Sequence, residues 1–229
     1  MKKGTLIVIE GTDGVGKSTQ FDRLCRRAQA EGHPFRRLVF PQYQEESSAL
    51  IRMYLAGEFG SRPGDVNPYA ASAFYAVDRY ASWKKVWQDW YQAGGLVLAD
   101  RYTTSNAVHQ TSKLAEGEQE PFLDWLRDFE YDKLGLPAPD LVLLLDVPTD
   151  RSEALLRRRE ADTNTKGDIH ETDSAYLAAC RAAARKAAEV WGWTRINCLN
   201  QAGELRSVED IHQEIWQAVR PLLDREKEN

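Results

Sequence analysis

The sequence predicts an α/β fold: a five-stranded parallel sheet flanked by helices on both faces. Short runs of apolar, β-branched residues alternate with longer helical stretches, as strands joined by helical crossovers do. Those runs are apolar at consecutive positions, which strands covered on both faces require. A glycine-rich segment separates the first run from the first helix, and two later runs end in Asp, at the edge where parallel sheets bind ligands.

Thr5–Glu10 is the first buried strand, and a helix follows from about Lys17 to Glu31 until Gly32-His33-Pro34 stops it. Arg36–Phe40 is a second strand, closed by Pro41. A short helix over Ser47–Ala56 precedes a Gly/Pro-rich loop, Gly57–Asn67. Pro68 then opens a helix that runs to about Ala93, ended by Gly94-Gly95. Leu96–Asp100 is the third strand, followed by a polar helical region that includes Phe122–Tyr131. Leu141–Asp146 is the fourth strand, and Asp150 starts a helix that ends in Arg157-Arg158-Arg159. An Ala-rich helix over Ser174–Val190, a fifth strand over Thr194–Leu199 and a last helix from near Ser207 complete the chain. The pattern fits one domain over residues 1–229, with mobile excursions at about 41–70 and 157–172.

The net charge of −5 argues against a nucleic-acid partner, since nonspecific duplex binding needs a basic footprint. Cys25, Cys180 and Cys198 are far apart and form no CxxC pair, so buried, inert thiols are expected. The apolar run Leu6–Ile9 is too short for a signal peptide, and no stretch approaches the ~18 apolar residues of a membrane span. A cytoplasmic protein is the expectation.

Gly11-Thr12-Asp13-Gly14-Val15-Gly16-Lys17-Ser18 fits G-x-x-x-x-G-K-[ST], between a buried strand and a helix. Glycines there let backbone N–H groups point at phosphate oxygens, and the helix N-terminus adds positive potential. Lys17 would reach the outer phosphates of a nucleoside triphosphate and Ser18 would ligate Mg²⁺. The fold is thus of the P-loop NTPase type. Asp100 and Asp146, each ending a strand, are both candidates for the metal, and position alone does not choose between them; either could instead cap a helix.

Thr165-Lys166-Gly167-Asp168 and Asp132-Lys133-Leu134-Gly135 imitate the motifs of a GTP-binding switch, but neither follows a buried strand. The arginines favour a kinase acting on a phosphorylated acceptor. Arg79 follows Asp78 in a helix, Arg101 follows Asp100 at a strand end, and Arg157, Arg158, Arg159 and Lys166 fall in a polar excursion. Phosphoryl transfer to a phosphate crowds negative charge, so its catalysis is mostly positioning and charge stabilisation. Arg79 and Arg101 could alternatively be ion pairs with Asp78 or Asp100, and the arginine run a solvated helix end.

Together these segments resemble the thymidylate kinases over nearly the whole chain and in the right order. The resemblance rests on the phosphate loop through Thr19, Phe40-Pro41, Tyr75-Ala-Val-Asp-Arg79, Asp100-Arg-Tyr-Thr-Thr-Ser-Asn106, Leu145-Asp-Val-Pro148 and Asp168-Ile-His-Glu171. It implies transfer of the γ-phosphoryl group of ATP to dTMP with Mg²⁺, a step of dTTP biosynthesis, by a homodimer. It implies ATP on Gly11–Thr19, and Asp13 on the acceptor sugar. Arg79 and Arg101 would hold the acceptor phosphate and Tyr75 would stack on thymine. Ser105, Asn106 and Gln110 would lie near the base, His109 against the sugar and Asp100 on the metal. The acceptor region spans about 41–110, and the basic stretch at about 157–172 resembles the family's lid. Lys17 and Arg101, with Arg157 and Arg158 of that stretch, would be the catalytic cations, and Glu171 would lie against the sugar or a lid arginine. Gln42 and Tyr43 stand where many members place an arginine, and His109 where Tyr or Phe is usual. Trp83, Val86, Trp87, Trp90 and Tyr91 recur at helical spacing, as a core face or partly a dimer interface.

Overall fold

A computed structural model describes residues 3–163 and 174–227. Five strands, β1 (Thr5–Glu10), β2 (Phe35–Val39), β3 (Leu96–Asp100), β4 (Leu141–Asp146) and β5 (Thr194–Asn197), form one sheet in the order β2-β3-β1-β4-β5. Every neighbouring pair is parallel. β1, β3 and β4 have the limits the sequence predicts. β2 stops short of Phe40, and β5 stops at Asn197, after which Leu199 makes an isolated antiparallel bridge to Leu205.

Alternation along the strands divides the core. Leu6 and Val8 face one layer with Val97, Ala99, Val142 and Leu144, whereas Ile7 and Ile9 face the other with Leu98, Leu143 and Leu145. The second layer is covered by α1 (Lys17–Ala30) and the last helix (Val208–Lys227), through Phe21, Leu24, Ile215 and Trp216. The predicted 41–70 excursion contains a 3₁₀ turn, Glu46–Ser48, and α2 (Ala49–Leu55). Asn67 caps the next helix, accepting from the Tyr69 amide at 2.8 Å, and Pro68 occupies its first turn.

The predicted helix from Pro68 to Ala93 is three pieces: α3 (Pro68–Ser82), a π turn (Trp83–Trp87) and α4 (Gln88–Gln92). Residues four apart drift round an α-helix of about 3.6 residues per turn. The wider π turn offsets that drift and keeps Trp83, Trp87 and Tyr91 on the core side. Their rings meet edge to face, with the Trp83–Trp87 centroids 4.5 Å apart. The aromatic stripe is therefore mostly core, and its exposed member is Val86.

The polar region after β3 resolves into α5 (Thr103–His109) and α6 (Glu116–Arg127), with a second π turn at Asp128–Lys133. α7 spans Thr149–Thr163, so the helix continues beyond Arg159, where the sequence predicts a polar excursion. α8 (Ser174–Trp191) packs against α5, and α9 is the last helix, Val208–Lys227. The three cysteines are free and buried.

One buried ion pair ties α3 to the second π turn. Glu130, fully buried, accepts from Arg79 Nε at 2.6 Å and also from Arg79 Nη2. Thr103 Oγ1 donates to the same carboxylate at 2.8 Å and Asn106 Nδ2 at 3.1 Å. Asp78, the neighbour the sequence offered as a partner for Arg79, instead accepts from the Gln42 amide at 2.8 Å and Ser47 Oγ at 2.6 Å. Glu130→Ala would strand a buried guanidinium, so we expect a loss of about 3–5 kcal/mol in urea unfolding. A loss below 1 kcal/mol would mean that the pair does not hold these elements together.

Candidate active site

The strand register brings the C-terminal ends of β1, β2 and β3 to one edge: Asp100 pairs with Ile9 on one side and with Val39 on the other. The phosphate loop leaves β1 there. Gly16 has φ 87° and Gly14 φ 80°, left-handed conformations that favour glycine. At Gly14 space is also short, since a Cβ would stand 2.5 Å from the Ser152 carbonyl oxygen and 2.6 Å from Leu156 Cγ. α7 thus lies against the loop.

Lys17 is buried and folds back, donating from Nζ to the Thr12 carbonyl at 2.8 Å, with Asp13 at 3.6 Å. Burial, and then the Arg101 charge, hold its pKa below the usual lysine value. Ser18 and Thr19 are exposed at the start of α1, whereas Thr12 and Val15 are buried.

Glu10 is the central group that sequence reasoning passed over. Its carboxylate is fully buried at the end of β1 and accepts from the Gly11 amide at 3.1 Å, Thr104 Oγ1 at 2.6 Å and Ser105 Oγ at 2.7 Å. Arg101 Nη1 lies 3.8 Å from it. The signal in the sequence is an acidic residue at the end of an apolar run, directly before the glycine-rich loop.

Arg101 donates from Nη2 to Asp13 and from Nη1 to Ser105 Oγ at 3.4 Å, and its Nη1 lies 3.2 Å from His109 Nε2. Burial alone would lower its pKa, but Asp13, Glu10 and Asp100 outweigh it and raise it, so the guanidinium stays charged. Its φ of 66° is the one left-handed value outside glycine among the described residues. Such a conformation costs about 1–3 kcal/mol and persists where surrounding contacts impose it.

The two strand-end aspartates differ sharply. Asp146 is taken up by three arginines: Arg181 at 2.9 Å, Arg185 at 2.8 Å and Arg195 at 2.8 Å. Burial would raise its pKa, but bonds from Arg185, Arg195 and Arg181 hold it below the usual carboxylate range. Asp100 is buried with an Oδ1 that has no hydrogen-bond partner among the described residues. Between the two, Asp100 has the oxygen that a hard cation requires, and Ser18 is exposed in the first turn of α1, directly after the phosphate loop.

Asp13, Phe40, Pro41, Tyr75, Arg79, Arg101, Ser105, Asn106, His109 and Gln110 all line a cavity of about 150 Å³ beside Arg101. Tyr43 and Leu55 complete it, two residues the sequence did not nominate. The Phe40–Pro41 peptide is cis. Of the three residues assigned to the base edge, two are already engaged: Ser105 with Glu10, and Asn106 Nδ2 with Glu130 and with the Ser72 carbonyl at 3.1 Å. Gln110 is fully buried, and its amide oxygen and nitrogen both lack a partner among the described residues. Arg79 spends Nε and Nη2 on Glu130, leaving Nη1, which lies 3.4 Å from the Tyr102 carbonyl. The side chains of Arg157, Arg158 and Arg159 lie outside the described residues, as do Lys166, Glu171 and the guanine-like segment Thr165–Asp168.

A family model described as "Thymidylate kinase" matches residues 9–215. A thymidylate kinase of Mycobacterium tuberculosis is 33% identical over 190 residues, covering 82% of this chain and 87% of the relative. A probable thymidylate kinase of Pyrococcus horikoshii is 29% identical over 223 residues, covering 96% of this chain and 98% of the relative. The human thymidylate kinase is 33% identical over 147 residues, 64% of this chain and 62% of its own length. With the family model spanning almost all of the phosphate-loop fold, the chain belongs to the thymidylate kinase family.

Proposed function

We propose that this chain transfers the γ-phosphoryl group of ATP to dTMP, giving dTDP and ADP. The observation that carries this reading is Arg101: it bonds Asp13 of the phosphate loop and lines the adjoining cavity. One guanidinium thus spans the donor loop and a pocket sized for part of a nucleotide, where donor and acceptor phosphates would meet.

ATP occupies Gly11–Thr19, with its outer phosphates against Lys17. The acceptor sits in the cavity, its base between the aromatic walls of Phe40 and Tyr75, its sugar near Asp13 and His109. The unpartnered amide of Gln110 offers a donor and an acceptor side by side, which complements the N3–H and carbonyl edge of thymine. Arg101 faces the acceptor phosphate. Arg79 contributes through Nη1, because Glu130 occupies the rest of its guanidinium. No general base is needed, since the acceptor phosphate is anionic at neutral pH. Lys17 and Arg101 stabilise charge as the phosphoryl group moves. Ser18 and Asp100 would hold Mg²⁺, which when bound neutralises charge between the donor phosphates. We assign further donor-phosphate cations to Arg157 and Arg158, on the helix whose Ser152 and Leu156 lie against Gly14.

We also propose a homodimer built on α3 and the π turn after it, where Val77, Tyr80 and Val86 are exposed. None of the described helices is long and apolar enough to cross a membrane. Free, buried thiols suit a reducing compartment, and we assign the protein to the cytoplasm.

Steady-state turnover of dTMP, dUMP, dCMP, dGMP and UMP with ATP and Mg²⁺ tests the acceptor. We expect dTMP to be fastest; a rate for dTMP no higher than for the others would reassign the pocket to another monophosphate. Arg101→Ala should lower turnover by about 10³-fold, the scale of a lost phosphoryl-transfer arginine, and a near-normal rate would remove it from the mechanism. Sedimentation at micromolar concentration should give twice the chain mass of 26.1 kDa, and a monomer alone would reject the dimer.

A further inference from the structure

Arg101 Nη1 has its closest neutral acceptor in His109, at Nε2. A ring nitrogen that accepts carries a lone pair, so the imidazole proton belongs on Nδ1. Nδ1 faces α8: the Tyr176 hydroxyl is 3.4 Å away and Cys180 Sγ 3.6 Å. The Tyr176 hydroxyl donates its proton to the His109 carbonyl at 3.2 Å, so toward Nδ1 its oxygen acts as acceptor. The same carbonyl accepts from Ser112 Oγ at 2.9 Å, and the Cys180 thiol donates to Ser112 Oγ at 3.4 Å. Tyr176 and Cys180 are both buried, so water competes poorly for these contacts.

We propose that Tyr176 is a positioning residue for Arg101, acting through His109: its hydroxyl selects the Nδ1–H tautomer and orients the ring, which presents Nε2 to the guanidinium. Asp13 holds Nη2 and His109 holds Nη1, so the two outer nitrogens are restrained from opposite sides. A guanidinium restrained at both ends keeps the flat fork that bidentate phosphate recognition needs, whereas one held only at Nη2 can pivot. Ser105, at 3.4 Å and already donating to Glu10, is a weak substitute. Tyr176 lies in the first turn of α8, so the setting of that helix bears on the acceptor site. This assignment rests on the reading of Arg101 as the phosphate-facing group.

Tyr176→Phe keeps the ring and removes the hydroxyl. We expect a melting temperature lowered by only a few degrees, an unchanged KM for ATP and a kcat lowered about fivefold to tenfold, the scale of one lost hydrogen bond. His109→Gln can still offer Arg101 an amide oxygen without a tautomer to set. Adding Tyr176→Phe to it should then cost nothing further, a coupling that simple packing would not produce. Nitrogen-15 spectra of the histidine rings, with His109 assigned by its loss in His109→Gln, should show Nδ1–H in the parent and a tautomer mixture in Tyr176→Phe. An equal cost of Tyr176→Phe in both backgrounds would overturn the proposal, as would an unaltered tautomer. Normal turnover in Tyr176→Phe beside a crippled Arg101→Ala would overturn it alone, whereas normal turnover in Arg101→Ala would take the underlying reading with it.

Discussion

A carboxylate that leaves water must be met by donors, and Glu10 at the end of the central strand sets this requirement for the whole site. The Gly11 amide, Thr104, Ser105 and the nearby Arg101 charge answer it. Those groups come from three places: the start of the phosphate loop, the residue after β3 and the first turn of α5. Meeting one buried charge therefore holds the donor loop and the acceptor wall in a common frame. It also gives a reason for the left-handed backbone at Arg101, whose local cost is set against contacts with Glu10, Asp13 and His109.

A second buried carboxylate, Glu130, organises the far wall in the same way. It gathers Arg79, Thr103 and Asn106, so three residues of the acceptor region share one anchor. The two networks divide the labour between the arginines. Arg79 is mostly spent on structure, whereas Arg101 keeps its place between the loop and the cavity. The side-chain amide of Gln110, fully buried in the cavity lining, joins neither network among the described residues.

The fold was legible because its strands are buried on both faces and bounded by glycine, proline or aspartate. β1, β3 and β4 have the limits read from the sequence for that reason. The π turns were not legible: Trp83 and Trp87 have ordinary helical spacing, and only their packing calls for a wider turn. The residues that the family resemblance nominated for the acceptor stand in short motifs, and the structure gathers them round one cavity. Their partners were not legible, because Arg79 meets a residue 51 positions away. Asp78 beside it in sequence points to another loop. Asp100 and Asp146 look alike as strand ends, and only three arginines from α8 and β5 tell them apart.

The crowding at Gly14 constrains how such a site can change over generations. A side chain there would collide with the main chain of α7, not merely with a movable rotamer. Any larger residue at Gly14 would require α7 to shift first. What the loop can carry at Gly14 is thus set by how one helix seats on one glycine.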